Sequence, residues 1–176
     1  MFEHLFERIR PYSLAVLLNP FALSRYNPRD ISITVRIYAM KLLRITVGLF
    51  IYKARLETEA APLTCAAFEK LLPWTNKLIH ARWSGEACWI PLGDFKLGVD
   101  YENHTSYPSR GDILFYPGGL SETEILFPYG SARFAAKVGQ LAANHFLTII
   151  EGQEQLPEMG RMCLWQGAQD IVFEAI

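Results

Sequence analysis

Basic clusters, long apolar runs and paired cysteines are all missing from this chain. Its net charge is −1 over 176 residues, and its Lys and Arg are scattered. Nucleic-acid binders usually carry a basic stripe, so no nucleic-acid partner is expected. No uncharged apolar run approaches the roughly 20 residues of a membrane-spanning helix, so no membrane partner is expected either. The three cysteines, Cys65, Cys88 and Cys163, are far apart and odd in number. They form neither a disulfide framework nor a C-x-x-C motif for zinc or redox work. They read as reduced, buried thiols, which points to a cytoplasmic protein. There is no G-x-S-x-G, and no cysteine has an evident histidine partner, so nucleophilic hydrolysis finds no support.

What is present is apolar and aromatic. Hydrophobic residues make up 51% of the chain and aromatics 13%, which argues against disorder and supplies the core of one domain. The chain divides unevenly. Residues 1–39 hold five Arg, no Lys and three acids, whereas residues 40–176 hold twelve bases and fifteen acids. The first stretch reads as an extension or leader; Leu14–Leu18 is too short for a signal h-region and is cut off by Asn19-Pro20. A competing reading is an added edge strand, because Ile31, Ile33, Val35 and Ile37 alternate. Met40-Lys41 then opens a strand at once, as a natural start would.

From Met40 the pattern is mostly strands. Leu43, Ile45 and Val47 alternate with polar residues, Gly48 punctuates, and Leu49–Leu56 returns as a hairpin arm. Pro62 suits the first turn of a helix near 62–72, with Phe68, Leu71 and Leu72 on its buried face and Pro73 as its stop. Leu78–Ile90 reads as one strand, interrupted at most at Gly85. Gly111–Tyr116 and Glu122–Phe127 form a hairpin around Pro117-Gly118-Gly119. Lys137–Leu141, Met162–Trp165 and Asp170–Glu174 are further strands, and a second short helix is expected near 145–150. Short strands without a βαβ rhythm predict a mainly β fold: a closed antiparallel barrel of about eight strands with two short helices.

If 79–90 is one strand, His80, Arg82, Ser84 and Glu86 share a face, and Ala81, Trp83, Ala87 and Trp89 share the other. The Trp face would enter the interior, and the polar face would line an outer groove. His80, Arg82 and Glu86 are then the candidate catalytic residues, with Arg82 holding a carboxylate or amide and His80 with Glu86 moving a proton. An exposed strand face with a weak surface ion pair, worth about 0–1 kcal/mol, explains the same residues without chemistry. Trp89, Glu122, Glu124, Tyr129, Asn144 and His145 are candidate ligand contacts. Glu122 and Glu124 share a strand face past the glycine turn, where paired carboxylates can divide acid and base roles, although a solvated hairpin arm also explains them. His80, His104 and His145 lack metal-ligand spacing, so no metal and no cofactor is implied.

Several stretches resemble the cyclophilin fold. Ala61-Pro62-Leu63-Thr64-Cys65-Ala66-Ala67-Phe68 is similar to its strand-to-helix passage. Val138-Gly139-Gln140-Leu141-Ala142-Ala143-Asn144 is similar to a later strand and turn, with Asn144 standing for a glycine. Gly111-Asp112-Ile113 through Gly119, His80 through Ala87, and Trp89 through Asp94 resemble a bacterial family of small cyclophilin-like barrels that are not isomerases and whose function is unassigned. The resemblance spans residues 40–176 and places Arg82 where cyclophilins keep their functional Arg. The Gln and long loop of a proline pocket are missing, so prolyl isomerase activity is the least expected outcome. Cyclophilin-like barrels within bacterial amide- and lactam-processing systems suggest a small polar molecule, an amide or carboxylate. The competing class is a binding or assembly module without chemistry, and a homo-oligomer is compatible with both.

Overall fold

The computed structural model describes residues 41–176. The leader reading of 1–39 and the edge strand at Ile31–Tyr38 lie outside the described residues. In chain order the elements are β1 Leu42–Val47, β2 Phe50–Leu56, α1 Pro62–Glu69, β3 Trp74–His80, β4 Gly85–Gly93 and β5 His104–Thr105. Then come β6 Asp112–Tyr116, β7 Thr123–Ala132, β8 Ala135–Ala136, β9 Gly139–Gln140, β10 Ala143–Glu151, α2 Leu156–Gln166 and β11 Gln169–Ala175.

Eight strands run in the order β2-β1-β11-β3-β4-β7-β6-β10, and β10 pairs back onto β2. Every pairing is antiparallel. The sheet is a closed barrel, which removes the edges that an open sheet would expose. The short β5 adds to β10 beside Ala143 and Asn144.

Period-two alternation fills the interior. Leu43, Ile45 and Val47 of β1, Tyr52, Ala54 and Leu56 of β2, and Ile171 and Phe173 of β11 all point inward. Phe68 of α1 meets Trp74, Phe146 and Phe173 edge-on at 4.9–5.6 Å, a geometry worth roughly 0.5–1.5 kcal/mol per pair beyond burial. No side chain of Ala61 caps α1. The Glu102 carboxylate does so instead, accepting from the Leu63 and Thr64 amides, where the helix dipole favours an anion.

Three expected elements are corrected. The single strand 78–90 is two strands, β3 and β4, folded back as a hairpin with Ile79 opposite Trp89 and His80 opposite Cys88. Ala81–Ser84 forms the turn, closed by the Ala81 amide on the Ala87 carbonyl, and Gly85 takes φ 83° there. The helix near 145–150 is strand β10, because Thr148, Ile149 and Ile150 are β-branched and both barrel neighbours demand pairing. The strand at Met162–Trp165 is the last part of α2. Its helical signals are Pro157 in the first turn and Gly167 at φ 83° just past the end.

A second apolar layer lies outside the barrel. Ala87, Leu114, Tyr116, Leu126 and Ala143 point outward from the wall and are covered by Phe134 and Leu141 of the β8–β9 hairpin. This cover explains why β7 is buried on both faces from Thr123 to Tyr129. The wall beneath the hairpin carries the candidate site.

Candidate functional site

Pairing fixes which side chains reach the covered wall. Trp89 of β4, Leu126 of β7 and Leu114 of β6 stand side by side, and Pro91, Glu124 and Tyr116 form the next row. Cys88, Ile90, Ile125 and Phe127 face the interior. Above the outer rows opens a cleft of about 200 Å³. Trp89, Leu126 and Glu124 form its floor; Ala81–Ser84 and Ala135–Lys137 form two walls, and Ser121 with Glu122 closes the end.

Ser84 joins the two walls. Its hydroxyl donates to the Ala135 carbonyl at 3.0 Å and accepts from the Ala135 amide at 3.2 Å. The Arg133 amide also donates to the Ser84 carbonyl. This buried serine is therefore a fastening.

Glu124 is the most perturbed acid of the cleft. Only 6% of it is exposed, and among the described residues its carboxyl has no hydrogen-bond partner and no ion pair. Burial, with the charge of Glu122 adding to it, pushes its pKa up to about 8. Glu122 sits one residue before β7, is exposed, and accepts the Gly93 amide at 3.0 Å. Arg82 and Lys137 also line the cleft, and neither forms an ion pair among the described residues. Trp83 is 57% exposed at its rim.

The expected constellation is thus partly assembled. Arg82, Trp89, Glu122 and Glu124 meet in the cleft. His80, Glu86, Tyr129, Asn144 and His145 do not; for His80 and Glu86 the turn at Ala81–Ser84 breaks the alternation that grouped them with Arg82. The expected burial of Trp83 fails for the same reason: it lies at the turn, while Trp89 faces the outer layer and leaves the interior to Cys88 and Ile90.

The His80 Nε2 shares a 2.8 Å hydrogen bond with the Tyr129 hydroxyl. Burial raises the Tyr129 pKa, with Cys88 and Glu86 adding to it. The Tyr129 ring lies directly against Gly160 of α2, where a β-carbon would overlap it. Glu86 is exposed at another edge; it accepts the Ser131 amide at 2.7 Å and lies over Gly130, again where a β-carbon would overlap.

Asn144 is fully buried at the α1 end of the barrel. It accepts the Glu102 amide and donates to the Thr64 hydroxyl and the Asp100 carbonyl. It lies within β10 and does not take the glycine-like turn conformation; Asn103, at φ 44°, does. His145 bonds the Thr148 hydroxyl at 2.9 Å, and Thr148 donates onward to Glu57. Burial alone would raise the Glu57 pKa, but the Thr148 hydroxyl and the Arg55 guanidinium hold it below the usual range. All three cysteines are buried and free. Among the described residues no group of three or more metal-ligating side chains comes together, and no helix is long and apolar enough to cross a membrane.

Together these features define a small closed antiparallel barrel with a hairpin-covered external cleft. The chain belongs to the family described as "Protein of unknown function (DUF3830)", whose model matches residues 43–175. No curated protein matches it. Among solved structures it is similar to McbB, determined in complex with tryptophan, with a TM-score of 0.57 and 19% identity over 75% of this chain and 44% of that one. This chain therefore spans less than half the length of McbB. It is also similar to the hypothetical protein AF2241 from Archaeoglobus fulgidus, with a TM-score of 0.52 and 18% identity over 78% of this chain and 95% of that one. At these identities the likeness is one of fold.

Proposed function

We propose that residues 40–176 form a cyclophilin-like barrel that binds a small carboxylate- or amide-bearing molecule in the external cleft, with Glu124 holding a proton there. The observation that carries this reading is Glu124 itself. A strongly shifted acid in a cleft is a mark of a functional site. Near pH 7 it is mostly protonated, so it can donate a hydrogen bond to a carbonyl oxygen. A carboxyl titrating near neutrality also suits general acid–base work. Arg82 forms no ion pair among the described residues and presents a planar fork that suits a carboxylate or amide oxygen. Trp83 and Trp89 supply apolar walls, and the cleft is smaller than the roughly 300–1,000 Å³ of drug-sized sites, which favours a compact ligand.

Carbon-detected NMR of the glutamate carboxyls tests the reading directly. Glu124 should titrate with a midpoint near 8. A midpoint in the ordinary carboxylate range would remove its foundation. In a fragment screen, small carboxylates and amides should shift the Trp89 indole signal, and Arg82→Ala should abolish the shift.

A further inference from the structure

Among the described residues four charged side chains line the cleft, two of each sign: Arg82, Lys137, Glu122 and Glu124. Opposite charges gathered in one small space normally pair, as Lys41 does with Glu69 and Arg44 with Glu174 elsewhere on the molecule. Here, among the described residues, no basic group pairs with an acidic one. Glu124 is more than nine-tenths buried and has no hydrogen-bond partner among the described residues. The bases are carried by the Ala81–Ser84 turn and the β8–β9 hairpin, whereas the acids stand on β7 and in the residue just before it. The cleft therefore has an acidic pole, at the floor and the closed end, and a basic pole, at the two fastened walls.

A ligand that is only an anion would meet Arg82 and Lys137 but be repelled by Glu122. One that is only a cation faces the reverse problem. Both poles are satisfied by a molecule carrying one charge of each sign, and discrimination against singly charged competitors comes from the pole that each fails to match. Trp89 forms the floor with Glu124, where an aromatic face attracts an ammonium.

We infer that the occupant is a zwitterion of the size of a free amino acid, with its ammonium at Glu122 and Glu124 and its carboxylate at Arg82 and Lys137. This rests on the cleft being the ligand site, as proposed above. An ammonium at the acidic pole favours the ionised form of Glu124, so binding near pH 7 releases a proton. The other ionisable groups around Glu124 are Glu122, Arg82, Lys137 and its neighbour across the strand, Tyr116. Of these, Glu122 is the one that adds to the Glu124 shift.

Calorimetry on the full chain with glycine, alanine, leucine and phenylalanine tests this, each compared with its N-acetyl and its C-terminal amide derivative. At least one free amino acid should bind tenfold or more tighter than both derivatives. Its binding heat should vary with the ionisation heat of the buffer, reporting the released proton. Glu124→Gln should erase the preference over the N-acetyl form and the proton release, and Arg82→Ala should erase the preference over the amide. If N-acetyl or amide forms bind as well as the free amino acid, the zwitterion is wrong and the cleft remains a site for simple carboxylates or amides. The same holds if simple carboxylate fragments bind and no amino acid does. If nothing in either panel moves the Trp89 signal, both readings fall together.

Discussion

Asn144 and Glu124 are both buried polar side chains on strands of one barrel, and their surroundings treat them in opposite ways. Asn144 makes three hydrogen bonds and ties α1, the 100–102 segment and β10 together. Glu124 makes none among the described residues and titrates far above an ordinary carboxyl. A buried group with its hydrogen bonds made is part of the scaffold, whereas a desolvated acid lining a cleft is placed to meet a ligand. The same contrast separates His80, held by the Tyr129 hydroxyl, from Arg82 two residues later, which lines the cleft without an ion pair among the described residues.

Asn144→Ala tests the scaffold half of this contrast and should have the largest effect. It strands the Thr64 hydroxyl, the Glu102 amide and the Asp100 carbonyl, and should destabilise the fold by about 3 kcal/mol or more in urea unfolding. A loss under about 1 kcal/mol would show that the two residues are not different in kind.

Glu124→Gln should have the opposite sign. Because the folded-state pKa lies above the unfolded value, the folded protein holds an extra proton between the two. Wild-type stability therefore falls as pH rises from about 4.5 to about 8, and then levels. The Gln variant lacks this penalty. Above pH 8 it should be more stable than wild type by roughly 1–4 kcal/mol, with the advantage shrinking toward zero near pH 4.5. A pH-independent difference would mean that Glu124 does not titrate as described.

Smaller still is Gly160→Ala. A methyl group there meets the Tyr129 ring, costing about 1–3 kcal/mol, while better helix propensity returns about 1 kcal/mol. A net loss near 1 kcal/mol is expected, with displacement of the Tyr129 signals and of the His80 ring resonances bonded to them. Arg82→Ala should do least to the fold, within about 0.5 kcal/mol by thermal melting, because the side chain is exposed and forms no ion pair among the described residues. Unfolding of that variant would make Arg82 a scaffold residue.

Local alternation made much of the barrel legible in the residues. The hairpins around Gly48 and around Gly118-Gly119, the helix at Pro62 and the strand at Ile171–Phe173 all announce themselves within ten residues. Leu78–Ile90 misleads because apolar residues keep recurring through the Ala81–Ser84 turn, with only Gly85 marking the break. Phe146–Ile150 is a short apolar run of the kind that periodicity cannot assign, and its partners β2 and β6 lie far away in sequence. Arg82, Trp89, Glu122 and Glu124 were visible as candidates, but their meeting place was not. Burial of Glu124 depends on the β8–β9 hairpin folding over the outer wall, a contact no local pattern encodes.

The fastening at Ser84 bears on how the cleft can breathe. Two segments nearly fifty residues apart along the chain are clasped by three hydrogen bonds, so the turn bearing Arg82 and Trp83 travels with the hairpin bearing Lys137. Widening the cleft then means swinging both as one flap off the barrel wall, lifting Phe134 and Leu141 from their apolar seat. The clasp predicts that such an opening is cooperative, in contrast to the independent motion of an untethered loop. The Arg133 and Ala135 amides should therefore exchange with deuterium at one common rate, slowed together when the cleft is filled and quickened together in Ser84→Ala.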